Sequence, residues 1–254
     1  MKRGKTMTTE RNKLPYNKQH TIIEIMICSI AVIASIYGMI RTMDGPIAFT
    51  YFTNLSNIMV DLALGIFLVL DIILLGSNGT NDKRSNGLYI FKFIQTICIT
   101  LTFLIYFFFL APTSGGHIHA YFTNYGGSFC VHFVTPVLAI IDFFLFDYRY
   151  ESKKIHALYA ILPPLCYVVY VVILGQVFGV RWDGTMMAPY NFINYGAPTG
   201  WFGFDLSQIS SESLGVGVVY MFLVLLFIFI GIGQLYLFLK DLRRKKIMEY
   251  NQSN

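Results

Sequence analysis

Six runs of about twenty predominantly apolar residues recur along the chain, at roughly 21–42, 50–75, 88–111, 128–147, 155–178 and 214–239. A bilayer's hydrocarbon core is crossed by ~20 residues of helix. The pattern therefore predicts an all-α, polytopic integral membrane protein built as a bundle of six transmembrane helices. Composition agrees: 55% of residues are hydrophobic and only 13% charged, with a mean hydropathy of +0.57, whereas soluble domains carry about 25% charged residues.

Cytoplasmic connections are enriched in Lys and Arg, which sets the expected orientation. With the N-terminus inside, the inner segments collect Lys2, Arg3, Lys5, Arg11, Lys13 and Lys18, then Lys83, Arg84 and Lys92, then Arg149, Lys153 and Lys154, then Lys240, Arg243, Arg244, Lys245 and Lys246. Arg41 and Arg181 fall outside. The expectation is a multi-pass protein of the cell membrane with a cytoplasmic tail at 1–20, a membrane domain at 21–239 and a basic cytoplasmic tail at 240–254. The net charge of +5 then reflects topology and an anionic inner leaflet. No basic groove with interleaved aromatics points to nucleic acid. The first twenty residues are too polar for a signal peptide's apolar region, so the first span reads as an anchor.

Cys28, Cys98, Cys130 and Cys166 each lie within a predicted helix, so they read as small packing residues, not as a disulfide framework. The inner connections "GSNGTNDKRSNG" and "DYRYESKK" read as short, charged links. The last outer connection, "VRWDGTMMAPYNFINYGAPTGWFGFDLSQISSES", carries Trp182, Tyr190, Phe192, Tyr195, Trp201, Phe202 and Phe204. Such a segment suits either anchoring at the headgroup level or a functional cover.

The second apolar run, "FTYFTNLSNIMVDLALGIFLVLDIILL", opens with polar residues that a membrane helix has no generic need for. Asn54, Asn57 and Asp61 follow one another at spacings of three and four, which places them on one helical face. Polar groups at membrane depth normally face the bundle interior and mark function. The structural alternatives are that Thr53 caps the helix and that the asparagines join helices by hydrogen bonds. The fourth run, "SFCVHFVTPVLAIIDFFLFD", carries His132 about one turn below the same interface, with Thr135 deeper on the same side. Equal depth on two helices makes His132 a candidate base for a Thr53 nucleophile. Asp142, ten residues on, is ~15 Å deeper by helical rise and cannot orient His132.

The stretches "FTYFTNLSN" and "HFVTPVLAIIDFFLFD", followed by "YVVYVVILG" and "APYNFINYG", resemble the androgen-induced and androgen-dependent transmembrane hydrolase family in its bacterial branch. The resemblance runs from the first helix to the sixth. It implies a multi-pass membrane fold and hydrolysis of fatty acid esters, with Thr53 of "YFTN" as nucleophile and His132 as its histidine. It implies no cofactor. On this reading Asn54 and Asn57 are candidate oxyanion donors, and Tyr190, Asn191 and Phe192 fold over the mouth of the site. Two other readings stay open: a metal site from His117, His119 and His132, and a non-enzymatic small transporter or lipid-binding membrane protein. P-loop, dinucleotide-binding and serine-elbow signatures are absent from the sequence.

Overall fold

The computed structural model describes residues 16–110 and 126–253. It is mostly helical, and six of its helices are long and apolar enough to cross a membrane. They are α1 (Lys18–Thr42), α2 (Phe52–Gly76), α3 (Asn86–Phe108), α4 (Gly126–Arg149), α5 (His156–Gln176) and the apolar part of α6 (Val218–Tyr250). His117 and His119 lie outside the described residues.

The ends of these helices follow local chemistry. Asn17 caps α1 by accepting from the His20 backbone N–H at 3.1 Å, and Ser85 caps α3 by accepting from Leu88 at 3.3 Å. After α1 the chain turns through Gly45, whose φ of 67° favours glycine, into a 3-10 turn at Pro46–Thr50. The N-cap of α2 is Tyr51, so Thr53 stands inside the first helical turn and the capping reading of Thr53 falls. Asn54 donates to the Ala48 carbonyl at 2.8 Å and so ties that first turn back to the 3-10 segment.

Packing centres on α3. Of its most apolar stretch 61% is buried, against 22 to 39% for the other five helices. Its inward face carries Lys92, Gln95, Thr96, Thr100 and Thr102, all buried, beside Phe93 and Ile97. α1 and α4 approach so closely that a Cβ on Gly38 would lie 2.7 Å from the Gly127 carbonyl oxygen, the small-residue contact that membrane helices use in place of a hydrophobic drive.

Two helices are irregular where the sequence places chemistry. α3 ends in a π-helical turn at Tyr106–Leu110, and α4 passes through another at Cys130–Val134 before Thr135–Phe146 resumes the α-helix. The fifth helix is broken between His156–Tyr159 and Leu162–Gln176, with prolines at the start of the second piece, as "LPP" leads one to expect.

Two expectations need correction. The fold is not wholly helical: β1 (Phe204–Ser210) and β2 (Ser213–Val216) form an antiparallel hairpin. The sixth helix therefore starts at Val218, later than 214, because the preceding residues pair as a strand and bend at Gly215 with φ 70°. Beyond 240, α6 continues as helix to Ser253. Lys240, 1% exposed, donates to the Tyr150 carbonyl at 2.8 Å and to Ser152 Oγ at 2.7 Å, pinning α6 to the link between α4 and α5.

Candidate functional site

At the end of the bundle where α2 begins, the connection between α5 and α6 folds into a packed cap. Trp182 is fully buried and donates its indole N–H to Thr50 Oγ1 at 2.8 Å, while Tyr167 of α5 donates to the Thr50 carbonyl at 2.9 Å. Thr50 thus gathers the cap and α5 onto the residues just before α2. Asn194 holds the cap's shape by accepting from Met187 and Gly196 and donating to the Glu212 carbonyl. The headgroup-anchoring reading therefore fails for Trp182, although Phe202 and Phe204 are 68% and 69% exposed.

Under the cap lies a cavity of about 50 Å³ lined by Thr53 and Phe52 of α2, Thr102 and Tyr106 of α3, Tyr167 of α5, and Tyr190 and Phe192 of the cap. Its walls are mainly apolar. The Tyr190 phenol and the Thr53 side chain both line this cavity. Burial pushes that phenol above its ordinary value, so Tyr190 stays a protonated donor across the neutral range. Tyr190 also packs edge-on to Tyr51 and stacks on Phe192, at centroid distances of 5.9 and 5.2 Å. Asn191 opens the short 3-10 turn between them and does not line the cavity.

His132 lies in the π-helical turn of α4. Its Nδ1 is 2.9 Å from the Ser128 carbonyl oxygen and 2.9 Å from Ser128 Oγ. A carbonyl oxygen can only accept, so the Nδ1 atom carries the proton and Nε2 is the basic nitrogen. The imidazole stacks on Tyr106, whose ring centroid is 3.8 Å away. No hydrogen bond joins Thr53 to His132 directly among the described residues; Tyr106, which lines the Thr53 cavity and lies on His132, connects the two.

The asparagines have other duties. Asn57 is fully buried and its amide donates to the Thr53 carbonyl at 2.9 Å and the Val131 carbonyl at 3.2 Å, while its Oδ1 accepts from Ser35 at 3.3 Å. Both amide protons are committed, so Asn57 stitches α1, α2 and α4 together and has no donor left for an oxyanion. Asn54 holds Ala48, as described. Ser56 and Thr102 share a hydrogen bond of 3.0 Å from α2 to α3.

A second polar centre lies at the opposite end, and sequence reading passed over it. Lys92, fully buried, is paired with Asp142 and with Asp147 at 2.8 Å, and lies 3.7 Å from Glu24. Arg84 reaches Asp71 at 2.8 Å, Glu24 at 3.5 Å and Asp82 at 2.9 Å. Cys28 donates to Asp142 at 3.4 Å. The ligand oxygens of Glu24, Asp142 and Asp147 all lie within 4.8 Å of one another, close enough to share a metal ion. The signal was present in the sequence, as single charged residues set inside otherwise apolar runs on several helices.

Comparison with known proteins returns no match among family models, curated proteins or solved structures.

Proposed function

We propose that the chain is a multi-pass membrane protein with both termini on the cytoplasmic side, and that its Thr53 end opens at the outer leaflet, where it hydrolyses an ester of a membrane lipid or fatty acid. The observation that carries this reading is Thr53 set in an apolar cavity under a folded cap whose Tyr190 lines the same cavity. A hydroxyl in such surroundings is shielded from bulk water, and the cap gives the site a cover of the kind that excludes it during acyl transfer.

In the first step Thr53 Oγ1 attacks the ester carbonyl carbon and its proton passes to His132 Nε2. The alcohol leaves, taking that proton, and the acyl group stays on Thr53. Water, deprotonated by the same imidazole, then releases the acid and restores the threonine. The oxyanion donor on this reading is Tyr190, since the Asn57 amide is committed to backbone carbonyls. The approach of Nε2 to Thr53 requires a shift of the π-helical turn, a segment type often found at functional sites.

A second reading, a lipid-binding membrane protein without catalysis, is favoured by the absence of a direct Thr53 to His132 hydrogen bond among the described residues. Labelling of membranes with a fluorophosphonate separates the two. The hydrolase reacts at Thr53 and the Thr53→Ala protein does not; an unlabelled wild type leaves only the binding reading.

A further inference from the structure

We infer that Glu24, Asp142 and Asp147 form the carboxylate face of a divalent-cation site, at the end of the bundle away from Thr53, with Lys92 as the built-in competitor for the same oxygens. This does not depend on the hydrolase reading.

The argument starts from charge. Glu24, Asp71, Asp142 and Asp147 are each at most 3% exposed, and the cations enclosed with them are Lys92 and Arg84. Asp82 and Arg149, 2.5 Å apart and partly exposed, neutralise each other at the rim. Among the described residues, four buried carboxylates against two buried cations leave two negative charges in an apolar bundle, where uncompensated charge is strongly unfavourable. One divalent cation cancels them.

The oxygen atoms are arranged to receive it. Glu24 Oε1, Asp71 Oδ2 and Asp147 Oδ2 are buried and accept no hydrogen bond. The three ligand oxygens of Glu24, Asp142 and Asp147 come from α1 and α4, within 4.8 Å of one another. An all-oxygen, all-carboxylate set suits hard cations such as Mg²⁺, Ca²⁺ or Mn²⁺. An independent observation points the same way: the Tyr89 hydroxyl, on a residue 3% exposed, has no hydrogen-bond partner among the described residues, and its ring packs on Phe67, the same ring that the Lys92 ammonium overlies.

Lys92 explains how the carboxylates stay together when no metal is seated. Its ammonium pairs with Asp142 and Asp147 and lies 4.2 Å from the centroid of the Phe67 ring, a cation-π contact that still holds it once the metal takes the carboxylates. Ammonium and metal ion compete for one group of oxygens.

The test is calorimetric titration of the full chain, chelator-treated in detergent, with Mg²⁺, Ca²⁺ and Mn²⁺ separately, followed by thermal melts. The wild type is expected to bind one equivalent of at least one of these ions and to melt higher with it. Glu24→Gln and Asp147→Asn should each bind at least about tenfold more weakly, the loss typical of disturbing a metal's ligand environment. Lys92→Met should bind more tightly than the wild type, having lost the competitor. The wild-type titration decides whether an ion binds and the variants decide where, so a variant that does not fold leaves the question answerable. No heat and no stabilisation by any of the three ions in wild type would mean that protons carry the missing charge, and would overturn the inference. Equal affinity in wild type, Glu24→Gln and Asp147→Asn would overturn it as well, by placing the ion elsewhere.

Discussion

Tyr106 lies flat on His132, with ring centroids 3.8 Å apart and planes inclined by 17°. Both residues belong to π-helical turns, one closing α3 and the other inside α4. A π-helical turn inserts a residue and re-aims the side chains around it. Together with the Ser128 contact at Nδ1, the stack fixes the plane and the tautomer of the imidazole.

Tyr106 is therefore expected to position the base. Tyr106→Phe keeps the stack and should retain most ester hydrolysis, whereas Tyr106→Ala frees the ring. A misplacement of about 1 Å in such a group costs roughly 10²-fold in rate, and the loss should fall on kcat with little change in KM. Equal activity of the Phe and Ala variants would show that the stack does not govern the base.

Asn57 is expected to matter for stability before it matters for rate. Asn57→Ala leaves the buried Val131 carbonyl without the amide donor and Ser35 without that acceptor, while the Thr53 carbonyl keeps the Ser56 hydroxyl. Each unsatisfied buried group costs about 1–3 kcal/mol, so the variant should unfold well below the wild type in a detergent melt. On the proposed mechanism, with Tyr190 as oxyanion donor, material that stays folded should keep hydrolysing. A stable Asn57→Ala protein with about 10²-fold lower kcat would instead restore the asparagine as that donor.

The contrast between these two residues shows what the sequence could carry. The six helices were legible because apolar length needs no partner to be recognised, and α2 was found from 50–75 against Phe52–Gly76. Thr53 and the cap residues Tyr190 and Phe192 were singled out from residue type, and the structure does bring them to one cavity. Tyr106 was not legible: it opens the run "YFFFL", and nothing in a string of aromatics tells which ring will stack on a histidine far along the chain. Lys92 was taken as one more lysine of an inner connection, whereas its burial depends on carboxylates contributed by α1 and α4. The hairpin was missed because "FDLSQIS" and "SLGV" are short and the flanking sequence is aromatic, so period-two alternation is weak there.

Topology is tested with single cysteines in a background lacking Cys28, Cys98, Cys130 and Cys166. Thr80 in the link between α2 and α3 and Gln208 on β1 are both exposed and sit at opposite ends of the bundle. In intact cells a membrane-impermeant thiol reagent should modify Gln208→Cys and spare Thr80→Cys until the membrane is opened. The reverse pattern places the Thr53 cavity at the inner leaflet and removes the outer-leaflet substrate.

Asp82 makes the structure sensitive to acid at the other end. Burial alone would raise its carboxyl above the ordinary 3.8, but hydrogen bonds and charge from Arg84, with Arg149 beyond, outweigh this and hold it at about 2. A depressed carboxyl contributes stability that is present above its unfolded value and lost as pH falls through the folded one. The difference in melting temperature between wild type and Asp82→Asn should thus be constant above about pH 5 and shrink between roughly pH 4 and pH 2. A difference that persists unchanged to pH 2 would show that Asp82 contributes through packing and not through its charge.

The nucleophile is tested by substitutions that separate the hydroxyl from its surroundings. Thr53→Ala removes the oxygen that would carry the acyl group and should abolish hydrolysis of a fatty acid ester along with fluorophosphonate labelling. Thr53→Ser keeps the oxygen but loses the methyl that fixes the side-chain rotamer, so partial activity is expected. His132→Ala should be nearly as inactive as Thr53→Ala, and the double variant little worse than either, because groups acting in one step are strongly non-additive. Tyr190→Phe, which keeps the ring that packs against Tyr51 and Phe192 but removes the phenol, should lower kcat by about 10²-fold if it serves the oxyanion. Thr53 is half-buried, so its loss should leave the melt nearly unchanged. That expectation keeps the test clean: an unaltered melt with no activity identifies a nucleophile, whereas undiminished hydrolysis by a folded Thr53→Ala protein returns the cavity to a binding site.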